Sequence, residues 1–180
     1  LTTAMADPLG TYCMANPAEI QVDHLEDNIV NGTTPSCADV EYKQDLESNL
    51  LLRFGPVKVQ KQAVLTSATL QFTALAAPGT TATYLVQGLM SENANTTMFN
   101  CSYVAPINFT AGNVTYTRTP DQNGVISINV VGLVRQMIGA ASRWKINNNM
   151  MFSVKVISGE DTIQTFSGDE CSEPSLSVLT

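Results

Sequence analysis

Few residues of the chain have the types and spacing that catalysis requires. His24 is the single histidine, so a Ser-His-Asp or Cys-His site could use no other imidazole, and neither a GxSxG nor an HExxH motif occurs. Two pairs of adjacent carboxylates are candidates for glycoside hydrolysis: Glu26 with Asp27, and Glu160 with Asp161. Neighbouring residues of a strand point to opposite faces, so neither pair is placed to work together. The sequence therefore predicts a non-enzymatic protein in which these carboxylates are solvated loop charge.

No cofactor and no metal site are predicted. Asp23, Glu26 and Asp27 supply the hard oxygen ligands that Ca²⁺ prefers, but their spacing is not that of an EF-hand loop. A structural Ca²⁺ at these residues is the alternative.

The four cysteines indicate an oxidising compartment. They lie at Cys13, Cys37, Cys101 and Cys171, an even number without a CxxC spacing, which favours two disulfides over a zinc or redox motif. Four buried thiols in a reduced protein are the alternative. Of the three connectivities we favour Cys13 with Cys37 and Cys101 with Cys171, because these pairs tie the N-terminal segment to the first loop and the middle of the chain to the final turn.

Five Asn-x-Ser/Thr sequons are candidate N-glycosylation sites. Four of the five fall within residues 95–113, so this segment is expected to be exposed and covered with glycans if the source is a eukaryote. The acceptors are Asn31, Asn95, Asn100, Asn108 and Asn113.

Composition narrows the class of protein and of partner. The net charge is −7 and the pI is near 4.5, whereas a surface that binds phosphates is positively charged. The sequence therefore predicts that the protein does not bind nucleic acid. The 20 threonines and 16 valines against 5 lysines favour strands over long helices.

The N-terminal segment indicates processing. The chain begins at Leu1 and shows neither the basic nor the apolar region of a signal peptide, so we expect a processed chain that is secreted to the extracellular space or cell surface.

Alternating apolar residues predict the strands that must position these groups. In residues 50–54, Leu50, Leu52 and Phe54 share one face and Arg53 takes the other. The uncharged residues 62–91 could be mistaken for a membrane span, but period-two alternation over 69–73 and 83–87 around Pro78-Gly79 predicts a hairpin or strand pair instead. Residues 20–30 are expected to form a short strand and an acidic loop, and further strands are expected at 115–119, 125–130, 150–157 and 175–179.

A single helix is predicted after the 125–130 strand. Its apolar residues recur with a 3.6-residue period and would pack as a lid over one end of a sandwich. They are Val130, Leu133, Val134, Met137, Ile138 and Ala141.

Several segments together resemble the DNRLRE family of secreted modules. The similar stretches are residues 51–54 (LLRF), 67–72 (SATLQF), 126–130 (ISINV), 166–170 (FSGDE) and 174–178 (PSLSV), and the resemblance spans residues 22–180. It implies an all-β fold, an antiparallel jelly-roll β-sandwich similar to carbohydrate-binding modules, some of which bind alginate-like polysaccharides. Function does not follow from such a fold alone.

The predicted organisation is an N-terminal arm, residues 1–20, followed by a β-sandwich domain, residues 21–180. Pro8, Gly10 and Pro17 give the arm little periodicity. It could add to the sheet edge of a neighbouring copy and so build a filament, or it could fold back on its own domain, held by Cys13.

Two functions follow from these observations. The first is a structural subunit of an extracellular filament or cell-surface matrix, in which the chain forms a homo-oligomer or polymer. The alternative is a carbohydrate-binding module that stacks an extracellular polysaccharide on exposed aromatic rings. The candidate ligand-binding residues are Tyr103, Tyr116 and Trp144, with Phe109 beside them.

Overall fold

The computed structural model describes residues 8–13, 20–22, 41–44, 48–54, 56–74, 80–90, 94, 99–100, 103–104, 108–119, 124–164 and 175–180. The regular elements of these residues are two stacked antiparallel sheets, a separate two-stranded sheet and one short helix, which confirms the predicted all-β sandwich. In chain order the elements are β1 Pro8–Cys13, β2 Ile20–Val22, β3 Glu41–Gln44, β4 Ser48–Phe54, β5 Ser67–Ala74, β6 Ala82–Gly88, β7 Phe99–Asn100, β8 Tyr103–Val104, β9 Val114–Arg118, β10 Gly124–Asn129, α1 Val131–Ile138, β11 Met150–Gly159, β12 Asp161–Gln164 and β13 Ser175–Leu179.

The strand order is that of a jelly roll. In the first sheet β13 lies between β1 and β5, and β10 pairs with the opposite side of β5. Strand β12 pairs with Thr73 and Ala74 at the end of β5, on the same side as β13, and with β3 on its own other side. The second sheet has the order β2-β4-β11-β6-β9. The two four-strand paths β1-β13-β5-β10 and β4-β11-β6-β9 are the two facing sheets of a jelly roll.

The main core lies between the sheets and follows the predicted alternation. Leu50, Leu52 and Phe54 of β4 are completely buried there, and Phe152 of β11 contacts the Phe54 ring edge to face at 6.1 Å between centroids. Ile126 and Ile128 of β10 are buried in the same core, as their alternation predicts. Because its apolar surface is removed from water, each such side chain contributes on the order of 1.5–3 kcal/mol to the free energy of folding.

The outer face of the second sheet is also partly covered. Leu51 of β4 and Met151 of β11 point away from the main core, yet they are buried in a second cluster with Leu89 and Ala94. Arg53, on the same outer face of β4, is 2% exposed. The prediction that Arg53 takes the opposite face from Leu52 is confirmed, but that face is not open to solvent.

The predicted hairpin between the strands at 69–73 and 83–87 is wrong. Strand β5 pairs with β10, β12 and β13 in the first sheet, whereas β6 pairs with β9 and β11 in the second. The two strands face each other across the core instead, where the rings of Phe72 and Tyr84 meet edge to face at 5.5 Å. The alternation showed correctly which side chains point inward, but it could not show to which sheet each strand belongs.

The predicted helix forms and bridges the two sheets. Helix α1 buries Leu133, Val134, Met137 and Ile138 and contacts β5 of one sheet and β6 of the other, as expected of a lid. The helix ends before Ala141, which is exposed, because the backbone becomes extended at Gly139.

Part of the predicted arm belongs to the sandwich. Residues Pro8–Cys13 form β1, the first strand of the jelly roll, and pair antiparallel with β13 of the same chain from Pro8 opposite Leu179 to Cys13 opposite Ser175. The sequence offered no sign of this, because β1 contains a proline and a glycine and lacks clear alternation.

Candidate functional site

One lateral edge of the sandwich is formed by β1. Within the part of the chain that the structure describes, this strand pairs with β13 alone, and a register shift between Pro8 and Gly10 marks an irregularity at its beginning. The side of β1 that faces away from β13 has no partner strand among those residues. Pro8 and this irregularity are features that usually keep a further strand from pairing on an edge, so assembly at β1 would require exchange of the strand itself on β13.

The opposite lateral edge is formed by β9 and β10. Strand β9 ends the second sheet and pairs with β6, while β10 lies at the end of the first sheet and pairs with β5. Thr115 and Thr117 of β9 and Ser127 of β10 are exposed. The single charged side chain of these two strands, Arg118, is buried.

Two of the predicted acceptor asparagines lie beside this β9/β10 edge. Asn108 and Asn113 are both exposed, and Asn113 directly precedes β9. Asn31 and Asn95 lie outside the described residues, as does the side chain of Asn100 in β7. Glycosylation at all five asparagines stays a prediction.

The loop that carries these asparagines is fixed to the body of the sandwich. The Met90 amide donates to the Asn108 carbonyl at 2.7 Å, and the Thr110 amide donates to the Gly88 carbonyl at 2.8 Å. The buried Thr110 hydroxyl accepts a hydrogen bond from the Gly88 amide at 3.1 Å and donates to the Gly112 carbonyl at 2.7 Å. The Gly112 amide in turn donates to Gln136 of α1 at 3.0 Å.

A buried polar cluster joins the two sheets at one end of the core. Arg118 of β9 donates through Nε to Asp161 Oδ2 at 2.6 Å, with both side chains fully buried. The hydroxyl of Tyr84 of β6 donates to the same carboxylate oxygen. Arg118 also reaches the Thr80 hydroxyl at 3.2 Å. Because β12 carries Asp161 in the first sheet and β6 and β9 lie in the second, the cluster crosses the core.

The environment of Tyr84 keeps its phenol protonated. Burial raises the pKa of Tyr84 far above its ordinary value, and the hydrogen bond to Asp161 raises it further. The Tyr84 hydroxyl is therefore a hydrogen-bond donor at every physiological pH. A cluster this enclosed binds its own members and offers no space to a substrate.

The interpretation of the acidic pair at 160–161 as solvated loop charge is wrong for Asp161. Glu160 is exposed, but Asp161 is 3% exposed. One signal in the sequence pointed to this cluster: alternation along β9 places Val114, Tyr116 and Arg118 on the same inward face. An inward arginine requires a buried anion, but the sequence does not show which carboxylate supplies it.

The three candidate ligand-binding aromatics do not form a common surface. Trp144 is 3% exposed, and its indole N–H donates to the Val59 carbonyl at 2.8 Å, so its ring presents no face on which a sugar could stack. Tyr116 is half-buried and packs against the main core. The backbone of Tyr103 lies in β8, and its side chain is outside the described residues.

Other candidate residues fall where the structure gives no description. His24, the carboxylates of residues 23–27 and Cys37, Cys101 and Cys171 are among them, as is the side chain of Cys13. The disulfide pairing and the calcium alternative therefore stay predictions. Among the residues that are described, no three His, Cys, Asp or Glu side chains group as metal ligands would. The part of the chain that the structure describes contains no helix that is long and apolar enough to cross a membrane.

Compared with models of known protein families and with curated protein sequences, the chain matches none of them. The resemblance to the DNRLRE family accordingly stays a prediction.

Proposed function

We propose that the chain is a non-enzymatic, secreted glycoprotein module that serves as a structural subunit of an extracellular filament or cell-surface matrix. The observation that carries this proposal is the position of β1. It is the first strand of the jelly roll, it lies at a lateral edge, and its pairing to the body of the domain is with β13.

Strand β1 is suited to exchange between copies. Six residues, 14–19, separate it from β2, which belongs to the other sheet. A neighbour's β1 would form the same antiparallel ladder on β13 as the chain's own, so exchange changes few contacts and is favoured by high protein concentration. Because each subunit donates β1 at one place and accepts at another, the contact is heterologous and propagates as a filament unless its rotation closes a ring.

Removal of β1 tests this proposal. A chain without residues 1–14 should fail to polymerise while keeping a β-rich circular-dichroism spectrum, because the remaining strands still enclose the main core. A synthetic peptide of residues 7–14 should then bind the truncated chain by filling the vacated edge of β13. Polymers that persist unchanged after truncation would reject assembly through β1.

The extracellular part of the proposal has its own test. The secreted protein should carry N-linked glycans on several of the five acceptor asparagines and should release no thiol-reactive cysteine before reduction, as mass spectrometry of its peptides would show. Four alkylated cysteines without prior reduction would contradict a secreted location.

Polysaccharide binding is the alternative function and lacks a comparable observation. The burial of Trp144 and the core packing of Tyr116 remove two of its three predicted ligand residues from open stacking. We therefore favour assembly over sugar recognition. A shift of the chain's mobility in a polysaccharide-containing gel, lost on Tyr103→Ala, would reverse this preference.

A further inference from the structure

Within the described strands β9 and β10, no residue supplies the outward charge, proline or bulge that usually keeps a sheet edge from pairing with another molecule. Natural edge strands carry outward charges, prolines or bulges for that purpose. Strand β9 has the sequence VTYTR and β10 the sequence GVISIN, with no proline. Arg118, the one charge, is buried in its ion pair with Asp161 and cannot act as an outward guard.

The residues of this edge also favour strand pairing. Valine, threonine, tyrosine and isoleucine are residues with high strand propensity, and they fill four of the five positions of β9 and three of the six positions of β10. The register of β9 on β6 is regular from Val114 opposite Val86 to Arg118 opposite Ala82. A regular strand of five residues whose single charge, on Arg118, is buried is a template on which a second copy of the chain could pair.

Asn113 is the residue immediately before this strand, and the first and third residues of its sequon point to solvent. Asn113 and Thr115 are both exposed. Within the described part of the chain, the Thr115 hydroxyl has no hydrogen-bond partner, so the fold gives no structural reason for a hydroxyl at this position. The sequon at Asn108 differs, because its Thr110 hydroxyl is buried and makes two hydrogen bonds within the domain.

We infer that Asn113 carries an N-linked glycan and that this glycan blocks the β9/β10 edge. A bulky, hydrated sugar at the first residue of β9 excludes a second backbone from the strand, as an outward lysine does elsewhere. The inference rests on the proposed function, because it requires passage through a secretory pathway. It also explains why copies would not associate sideways: the glycan blocks the β9/β10 edge, so the contacts between copies are limited to the exchange of β1.

The test uses the full chain secreted from eukaryotic cells in four versions. Asn113→Gln and Thr115→Ala each destroy the sequon, Thr115→Ser keeps it at the same position, and Asn108→Gln removes the neighbouring sequon. Peptide mass mapping before and after enzymatic deglycosylation reports occupancy, and sedimentation velocity reports association. Circular dichroism shows that each version is folded.

The expected result separates the two pairs of variants. Asn113→Gln and Thr115→Ala lose the mass of one glycan and shift to larger, laterally associated species, whereas Thr115→Ser and Asn108→Gln sediment as the wild type does. Adding Thr117→Lys to Asn113→Gln restores wild-type sedimentation, because an outward lysine on β9 replaces the missing guard. Thr117 is exposed, and its contact to the Thr83 hydroxyl at 3.0 Å is at the surface.

Three outcomes would overturn the inference. The first is a secreted chain with glycans elsewhere but none on Asn113, and the second is Asn113→Gln that sediments as the wild type; both leave the proposed function intact. The third is a chain that is neither secreted nor glycosylated, which overturns the inference and the proposed function together.

Discussion

At the scale of single residues, the ion pair of Arg118 with Asp161 is a contact between two charges that are both removed from water. Both side chains are fully buried, so each requires the other's charge. Replacing such a pair by apolar residues can be neutral, but removing one partner leaves an isolated buried charge. The pair therefore joins β12 of the first sheet to β9 of the second.

Asp161→Asn should lower the free energy of unfolding by about 3–5 kcal/mol, because it leaves the Arg118 guanidinium buried without its counter-charge. Glu160→Gln is the matched control: it removes the adjacent, exposed carboxylate and should cost less than about 1 kcal/mol. Urea denaturation of both variants measures the difference. The double variant Arg118→Met with Asp161→Asn should be more stable than Asp161→Asn alone; equal costs for the two carboxylates would contradict the described cluster.

Tyr84 makes the stability of the protein sensitive to alkaline pH. Its pKa is raised in the folded chain, so the unfolded chain loses the phenolic proton first, at a pH near 10. Above that pH the folded state binds more protons than the unfolded state, and the free energy of unfolding falls by about 1.4 kcal/mol per pH unit from this group.

Tyr84→Phe should remove this alkaline component. At neutral pH the variant should be less stable than the wild type by about 1.5–3 kcal/mol, because a hydrogen bond to a buried carboxylate is lost. The difference should shrink as the pH rises above about 10. Tyr116→Phe is the control, since it leaves the Tyr84 hydroxyl in place. A difference between wild type and Tyr84→Phe that stays constant with pH would refute the argument.

At the scale of elements, the corner between β11 and β12 positions the buried carboxylate. Strand β11 ends at Gly159 in the second sheet and β12 begins at Asp161 in the first, with Glu160 alone between them. Gly159 adopts a φ of +76°, and a Cβ at this residue would lie 2.1 Å from the Thr81 carbonyl oxygen. The sharp change of sheet is therefore possible because residue 159 has no side chain.

Gly159→Ala should be strongly destabilising, and Gly124→Ala provides a comparison. Both glycines have positive φ, but a Cβ at Gly124 would meet nothing within 4 Å. We expect Gly124→Ala to lower the free energy of unfolding by about 1–2 kcal/mol, from backbone strain alone. Gly159→Ala should lower it by about 1–3 kcal/mol more, because its Cβ also clashes with the carbonyl. Thermal denaturation of the two variants decides; equal losses would show that the corner tolerates a side chain.

Local patterns in the sequence revealed the elements but not their partners. Alternation identified β4, β5, β10 and β11 and their inward faces, and the 3.6-residue period identified α1, because side-chain direction depends only on local backbone geometry. Pairing depends on contacts between distant segments. This is why the β5 and β6 hairpin was expected wrongly and why Asp161 could not be matched to Arg118.

At the scale of the whole molecule, the two lateral edges of the sandwich are unlike each other. One is formed by β1, whose pairing with β13 joins the first and the last of the described strands. The other is formed by β9 and β10, with Asn113 at the entry to β9. We propose that copies exchange β1 at the first edge and that a glycan on Asn113 shields the second. The polymer would therefore lengthen without associating sideways, and its glycans would lie on the outside.

The most direct measurement is sedimentation velocity of the full, secreted chain across a wide range of concentration, with electron micrographs of the same samples. Exchange of β1 between copies predicts a series of species that lengthens with concentration and filaments of uniform width. A single monomer boundary at every concentration, with no filaments, would contradict assembly through β1.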